Sequence, residues 1–146
     1  MEIRQAEYRD IPHFLSMGRK FATAADEPFD RESLTQHLEW ILEDEHTNAF
    51  IVFDGDRAVG IVAGIWIPTF WDNSKITATE LWWWVEEDAR LSGVGTMLMD
   101  ALESWAKQVG AWRLGMMTIV GLAPGAEEIY RKRGFRPREN TFVKEL

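Results

Sequence analysis

The chemistry in this sequence concentrates between Glu80 and Thr96, where the run ELWWWV passes into EEDARLSGVGT. Arg90 is followed by Leu91, Ser92, Gly93, Val94 and Gly95, and an amphipathic stretch begins at Thr96. Glycines let successive backbone amides crowd together at a helix start, and such a nest, aided by the helix dipole, binds a pyrophosphate without a basic loop. Two glycines one residue apart also suit an ordinary strand-to-helix turn. An ATP loop is disfavoured, because the Lys-Ser/Thr pair of a phosphate-binding P-loop is missing. Tyr130, leading into Arg131-Lys132-Arg133-Gly134-Phe135, offers a phenol, and Glu80, at the head of an apolar run, offers a carboxylate.

These groups need a scaffold. EIRQAEYRD reads as an edge strand leading to a helix capped at Asp10, with Ile11, Phe14, Leu15, Gly18 and Phe21 at helical spacing. A second helix starts at an Asp30 cap and carries Leu34, Leu38, Ile41 and Leu42 on one side. AFIVF, the turn DGDR and AVGIVAGIWI read as a hairpin, PTFWDNSK as a loop opened by Pro68, and ITATELWWWV as a third strand. Thr96 to Val109 forms a helix with Met97, Leu98, Ala101, Leu102 and Trp105 inward, stopping at Gly110. WRLGMMTIV then reads as a strand, PGAEEIYRKR as a helix with Ile129 inward, and GFRPRENTFVKEL as a turn and final strand. The order β-α-α-β-β-β-α-β-α-β predicts one mixed α/β domain over residues 1–146, a mostly antiparallel sheet with helices on both faces.

Composition narrows the function. The 146 residues carry 16 basic and 24 acidic side chains, a net charge of -8 that disfavours binding to nucleic acid. No apolar run has the length of a membrane span and the first residues are charged, so no membrane partner and a cytoplasmic location are expected. Without cysteine there is no thiolate nucleophile or zinc-thiolate site. His13, His37 and His46 have no ligand-like spacing, read as helix-surface residues, and predict no metal. Most of the eight tryptophans are expected in the core, a few beside a ligand cleft.

The run from Val85 to Gly95, with its R-x-x-G-x-G spacing from Arg90, resembles the acetyl-CoA pyrophosphate loop of the GCN5-related N-acetyltransferase (GNAT) superfamily. Tyr130 to Phe135 is similar to that family's Y-x-x-x-G-F element. With the strand order, the resemblance covers nearly the whole chain. It implies an acetyl-CoA-dependent N-acetyltransferase, acting on a small-molecule or peptide amine by direct attack in a ternary complex. An acyl-CoA-binding regulatory module of the same fold with little catalysis is the alternative.

Carried over to this sequence, the resemblance implies that Arg90, Leu91, Ser92, Gly93, Val94, Gly95 and Thr96 form the pyrophosphate nest. The preceding strand would splay from its neighbour, and backbone groups of Trp83 and Val85 would meet the pantetheine arm, the Trp83 amide serving as oxyanion donor. Tyr130 would occupy the family's position for the general acid that protonates the departing thiolate. A phenol near 10 is roughly 1.5 units above a thiol near 8.5, about 2 kcal/mol uphill, so hydrogen bonding is the more plausible role unless the site lowers the phenol. Glu80 is the candidate base, working through water. Strand alternation turns it to the wrong face unless a bulge restores it. Glu86 and Glu87 read as solvated charges beyond the strand.

Two departures from the family pattern stand out. Ala123 occupies the place of a cofactor-contacting asparagine, and the twelve residues after Gly134 leave room for one final strand where two are usual. An edge left in this way implies either a more open acceptor site or one completed by a second subunit pairing at that edge, as a homodimer. The loop holding Phe70 and Trp71, with the Thr23 to Phe29 turn, is expected near an amine acceptor, or else packs its own aromatics.

Overall fold

The computed structural model describes residues 1–123 and 125–146. Its elements are β1 (Glu2–Gln5), α1 (Ile11–Ala24), α2 (Arg31–Glu43), β2 (Thr47–Asp54), β3 (Arg57–Thr69), β4 (Asp72–Val85), α3 (Val94–Gln108), β5 (Arg113–Gly115) and α4 (Ala126–Lys132). Short 3₁₀ turns span Tyr8–Asp10 and Glu87–Ala89. The strands form one sheet in the order β1-β2-β3-β4-β5. The first four are antiparallel, and β5 joins β4 in parallel.

The central strands are apolar at successive positions because both faces are covered. Ile51, Ile61 and Ala63 pack with Phe14, Leu15, Met17, Leu38 and Ile41 of α1 and α2. Val52, Val62 and Ala78 pack with Val94, Leu98, Leu102 and Trp105 of α3 on the other face. Gly18 brings α1 close to its neighbours: a Cβ there would lie 2.5 Å from Leu34 Cδ2. The expected mixed, mostly antiparallel sheet between two helical layers is therefore what forms.

Local expectations divide according to whether they depended on a partner. The Asp30 carboxylate accepts the Ser33 amide at 2.7 Å, and it caps α2 as anticipated. Asp10 instead turns away from α1, binding Arg4 through both carboxylate oxygens and accepting the Glu7 amide at 2.8 Å. The expected loop from Pro68 to Lys75 shrinks to a turn at Phe70–Trp71, with Thr69 opposite Asp72. Pro68, which has no N–H to donate, borders a register shift beyond which Asn73 to Lys75 lack partners on β3.

Other corrections lie downstream. Of WRLGMMTIV only Arg113–Gly115 is strand, because the ladder to β4 has three pairs, Thr77↔Arg113 to Thr79↔Gly115. Ile129 is on the outer side of α4, whose inward residues are Ala126 and Tyr130. Residues 135–146 form no strand, and Phe142 is 93% exposed. β-propensity in TFV does not substitute for a neighbouring ladder.

Gly64 is packed from three sides: a Cβ there would meet Leu102 at 2.7 Å, Trp105 at 2.9 Å and the Thr79 carbonyl at 3.3 Å. Gly64→Val is expected to cost about 1–3 kcal/mol of stability through overpacking, read as a lower urea midpoint. Gly55→Asn should be near neutral, since Gly55 has φ +59° with nothing within 4 Å and Asn tolerates that region.

Candidate functional site

β4 contains one residue too many for its pairing with β3. Trp82 lies opposite Ala63 and Glu80 opposite Gly64, so Leu81 has no partner and forms a bulge. The extra residue reverses which face each side chain takes. Trp82 and Trp84 point to the α1/α2 side, whereas Glu80 shares the α3 face with Trp83, Val85 and Gly64. A bulge thus brings Glu80 to the face from which plain alternation would exclude it.

The same region is a fork. β5 leaves β4 after Thr79↔Gly115, yet β4 continues to Val85. The Glu86 amide donates to Val59 O at 3.0 Å. Counting in register from that bonded pair, Gly60↔Val85 and Val62↔Trp83 are non-hydrogen-bonded pairs. The N–H and C=O groups of Trp83 and Val85 therefore point away from β3, toward the side that β5 vacates. Val85 O accepts the Arg90 Nε–H at 3.2 Å, and the Arg90 guanidinium lies 5.0 Å above the Trp84 ring.

Glu80 and Tyr130 meet at this fork through one residue. Glu80 Oε2 accepts the Met117 amide at 3.0 Å, and the Tyr130 hydroxyl donates to Met117 O at 3.1 Å. Glu80 is only 4% exposed, and burial pushes its carboxyl up to about 7, against the opposing pull of the Met117 N–H. Burial, and next the Glu80 charge, also raise the Tyr130 phenol above its ordinary range. The site does not lower the phenol, so complete proton transfer to a thiolate becomes steeper and hydrogen bonding becomes the easier role. Phe135 packs on Tyr130 at 5.8 Å between ring centres, and Arg133 ties α4 to Glu103 at 3.1 Å and to Asp100 of α3.

The Arg90 to Thr96 segment closes over the start of α3. Leu91 and Gly93 have φ of +72° and +93°, the second a conformation for which glycine is suited. Gly95 has a different reason: a Cβ there would sit 3.3 Å from the Trp83 ring. The Ser92 amide is engaged by Ala89 O at 3.3 Å. The amides of Leu91, Gly93, Val94, Gly95 and Thr96 have no backbone acceptor among the described residues, as the first turn of a helix leaves its donors free.

Other expectations land elsewhere. Glu86 is buried rather than solvated, because Lys20 of α1 reaches it at 2.7 Å; Glu87 is exposed. His46 lies in the turn before β2, not on a helix, with its ring 4.1 Å from Trp66 and Nδ1 3.0 Å from Asp44. Phe70 and Trp71, 89% and 86% exposed, pack on each other at 4.8 Å at the far tip of the β3–β4 hairpin. At about 3.3 Å per residue, that tip stands roughly 25 Å along β4 from Glu80, away from the fork.

Two cavities open on the α1/α2 side, one of about 560 Å³ beside Trp84 and Glu86 and one of about 480 Å³ over Trp82. Among the described residues no group of three or more His, Asp or Glu could hold a metal, and no helix is long and apolar enough to cross a membrane. The sequence reading missed Met117, whose part is played by its backbone and leaves no side-chain signal. It also missed the Lys20–Glu86 pair, which spans 66 positions.

A family model described as Acetyltransferase (GNAT) family matches residues 11–135. The aminoglycoside antibiotic 6'-N-acetyltransferase AAC(6')-IG from Acinetobacter haemolyticus superposes with TM-score 0.79 at 19% identity, covering 100% of this chain and 99% of that one. AAC(6')-Iy, in complex with the bisubstrate analogue CoA-S-monomethyl-acetylneamine, gives 0.82 at 17% identity, covering 99% and 97%. A ribosomal-protein-alanine N-acetyltransferase from Brucella melitensis gives 0.77 at 18%, covering 100% of both chains. At these identities the likeness is one of fold. A comparison with curated proteins found no match.

The buried carboxyl has a thermodynamic signature. Its folded value of about 7 lies above the ordinary 4.5, so between those pH values the folded state keeps a proton that the unfolded chain has lost. Stability should therefore be greatest below about pH 4.5 and fall on the order of 3 kcal/mol up to about pH 7 from this group alone. Glu80→Gln should remove that component, measured as the difference between wild-type and variant urea midpoints across the window.

Proposed function

The chain belongs to the acetyltransferase (GNAT) family, and from that premise we propose that it moves the acetyl group of acetyl-CoA onto a primary amine by direct attack in a ternary complex. The observation that carries this reading is the fork itself, where the Glu80 carboxyl, the Tyr130 phenol and the outward backbone of Trp83 and Val85 converge. A module that only bound acyl-CoA would need neither side chain at that point.

The residues fit the cosubstrate by two independent features. The free amides at the start of α3 suit a pyrophosphate, with Arg90 adjacent, and the unpaired edge of β4 suits an amide-bearing arm. When bound, acetyl-CoA supplies the thioester carbonyl and the thiolate leaving group. The Trp83 amide donates to the carbonyl oxygen as negative charge develops there. Glu80, acting through water, takes the proton that the amine must lose. Its value near 7 leaves it about three units below a lysine-like amine, where an ordinary carboxylate is about six below. The carbon–nitrogen bond forms, the carbon–sulfur bond breaks, and Tyr130 exchanges its hydrogen bond to Met117 for one to the departing sulfur. No cysteine is present to form an acyl-enzyme.

The acceptor is a small-molecule or peptide amine in a cytoplasmic setting, with neither nucleic acid nor membrane as partner. The net charge of -8 and the lack of an apolar spanning helix among the described residues support this. A homodimer that covers the short edge strand β5 belongs to the same reading. Sedimentation should give a dimer at micromolar concentration, and a monomer throughout would remove that element.

Tyr130→Phe is expected to lower kcat for thiol release from acetyl-CoA by about tenfold or more, with the KM for acetyl-CoA changed little. An unchanged kcat would remove Tyr130 from the chemistry.

A further inference from the structure

The smaller cavity carries chemistry that the reaction at the fork does not use. It lies where Phe21 of α1, Phe29 of the α1–α2 turn and Trp82 of β4 come together, with Glu27, Asp30 and His37 completing its lining. The sequence builds it by placing a glycine beside the aromatics. A Cβ on Gly18 would lie 2.5 Å from Leu34 Cδ2 and in ordinary contact, 3.6 Å, with the Trp82 ring, so its absence lets α1 settle against α2 beside that ring. Phe21 meets Trp82 edge-on at 5.9 Å. The Arg19 guanidinium covers the Phe29 ring at 4.8 Å, and Arg19 itself lines the neighbouring cavity.

We infer that this cavity is the acceptor subsite, built for a primary amine carried on a compact apolar or aromatic body; the inference rests on the acetyl-transfer reading above. The lining has two carboxylates and, among the described residues, neither lysine nor arginine. The Asp30 carboxylate accepts the Ser33 amide, which holds it below the usual carboxylate range and keeps it charged. Ring faces attract a cation as well as burying an apolar body, so aromatics with carboxylates select an ammonium on a hydrophobic frame. About 480 Å³ is within the range of small-ligand pockets. A polycationic, hydroxyl-covered sugar fits less well: two carboxylates leave most of its charges unmatched, and ring faces leave hydroxyls unsatisfied.

The subsite also lies within reach of the reacting atoms. Trp82, whose ring lines the cavity, immediately precedes on β4 the Trp83 backbone that faces the fork, so the subsite borders the strand that carries the reacting groups. Beyond Thr79 the edge of β4 carries no β5 partner, so the ladder does not close the way from one face to the fork.

The test pairs a binding measurement with turnover. Calorimetry with 2-phenylethylamine on wild type, Glu27→Gln/Asp30→Asn and Phe29→Leu is combined with thiol release from acetyl-CoA using 2-phenylethylamine, putrescine or kanamycin. Asn preserves the α2 cap, and Phe29→Leu provides a variant that leaves the carboxylates alone. The expected result is binding of 2-phenylethylamine, a kcat/KM about tenfold above the other two amines, and a Kd weakened about tenfold in the double variant. Phe29→Leu should raise KM for 2-phenylethylamine and leave that for putrescine unchanged. No binding, a preference for kanamycin or putrescine, or variants that bind as wild type would overturn the inference. Binding that the variants weaken, without turnover of any amine, would uphold the cavity as an amine site and overturn the acetyl-transfer reading.

Discussion

Where β4 and β5 part, a carboxylate stands in for the ladder. Glu80 reaches across the gap and accepts the Met117 amide at 3.0 Å, and much of the site is arranged around that bond. It requires the bulge at Leu81, because without the extra residue Glu80 would face α1 and α2. It also favours glycine at position 64, opposite Glu80, where a side chain would collide with Leu102 and Trp105. The bond spans an opening from which β4 presents the backbone groups of Trp83 and Val85. Met117 then passes the connection to Tyr130 through its carbonyl, so one peptide residue sets the acid and base candidates relative to each other.

Burial at that point has opposite uses for the two groups. A carboxyl raised to about 7 is a better match to an amine's proton and still has a charged fraction near neutrality. A phenol raised above its usual range is a worse proton donor to a thiolate, yet its O–H remains an aimed dipole. In the proposed reaction the division of labour is therefore proton acceptance at Glu80 and hydrogen bonding at Tyr130. Both follow from one cause, the exclusion of water from the end of the β4–β5 ladder.

What could be read from the sequence was what depends on neighbours in the chain. The hairpin around Gly55, the α2 cap at Asp30, the apolar face of α3 and the glycine-rich start of that helix all have local signals. The roles of Gly93 and Gly95 differ, one conformational and one steric, although the letters are the same. What could not be read depends on distant partners. Glu86 is charged and follows a strand, but its fate is decided by Lys20 on α1. Asp10 precedes a helix as a cap would, but Arg4 claims it. The C-terminal TFV has strand propensity and no ladder to join. The bulge itself was open as an alternative in the sequence, and the structure places it at Leu81, opposite the Ala63–Gly64 step of β3.

The most direct measurement is the titration of the Glu80 side-chain carboxyl carbon by NMR in the isotopically labelled protein, assigned by its loss in Glu80→Gln and repeated with coenzyme A bound. A midpoint near 7 that moves when coenzyme A binds is the expected result, because a carboxyl turned into the fork by the bulge is buried and next to the proposed binding edge. A midpoint in the ordinary carboxylate range, unaffected by coenzyme A, would contradict it, placing Glu80 in water and away from the chemistry.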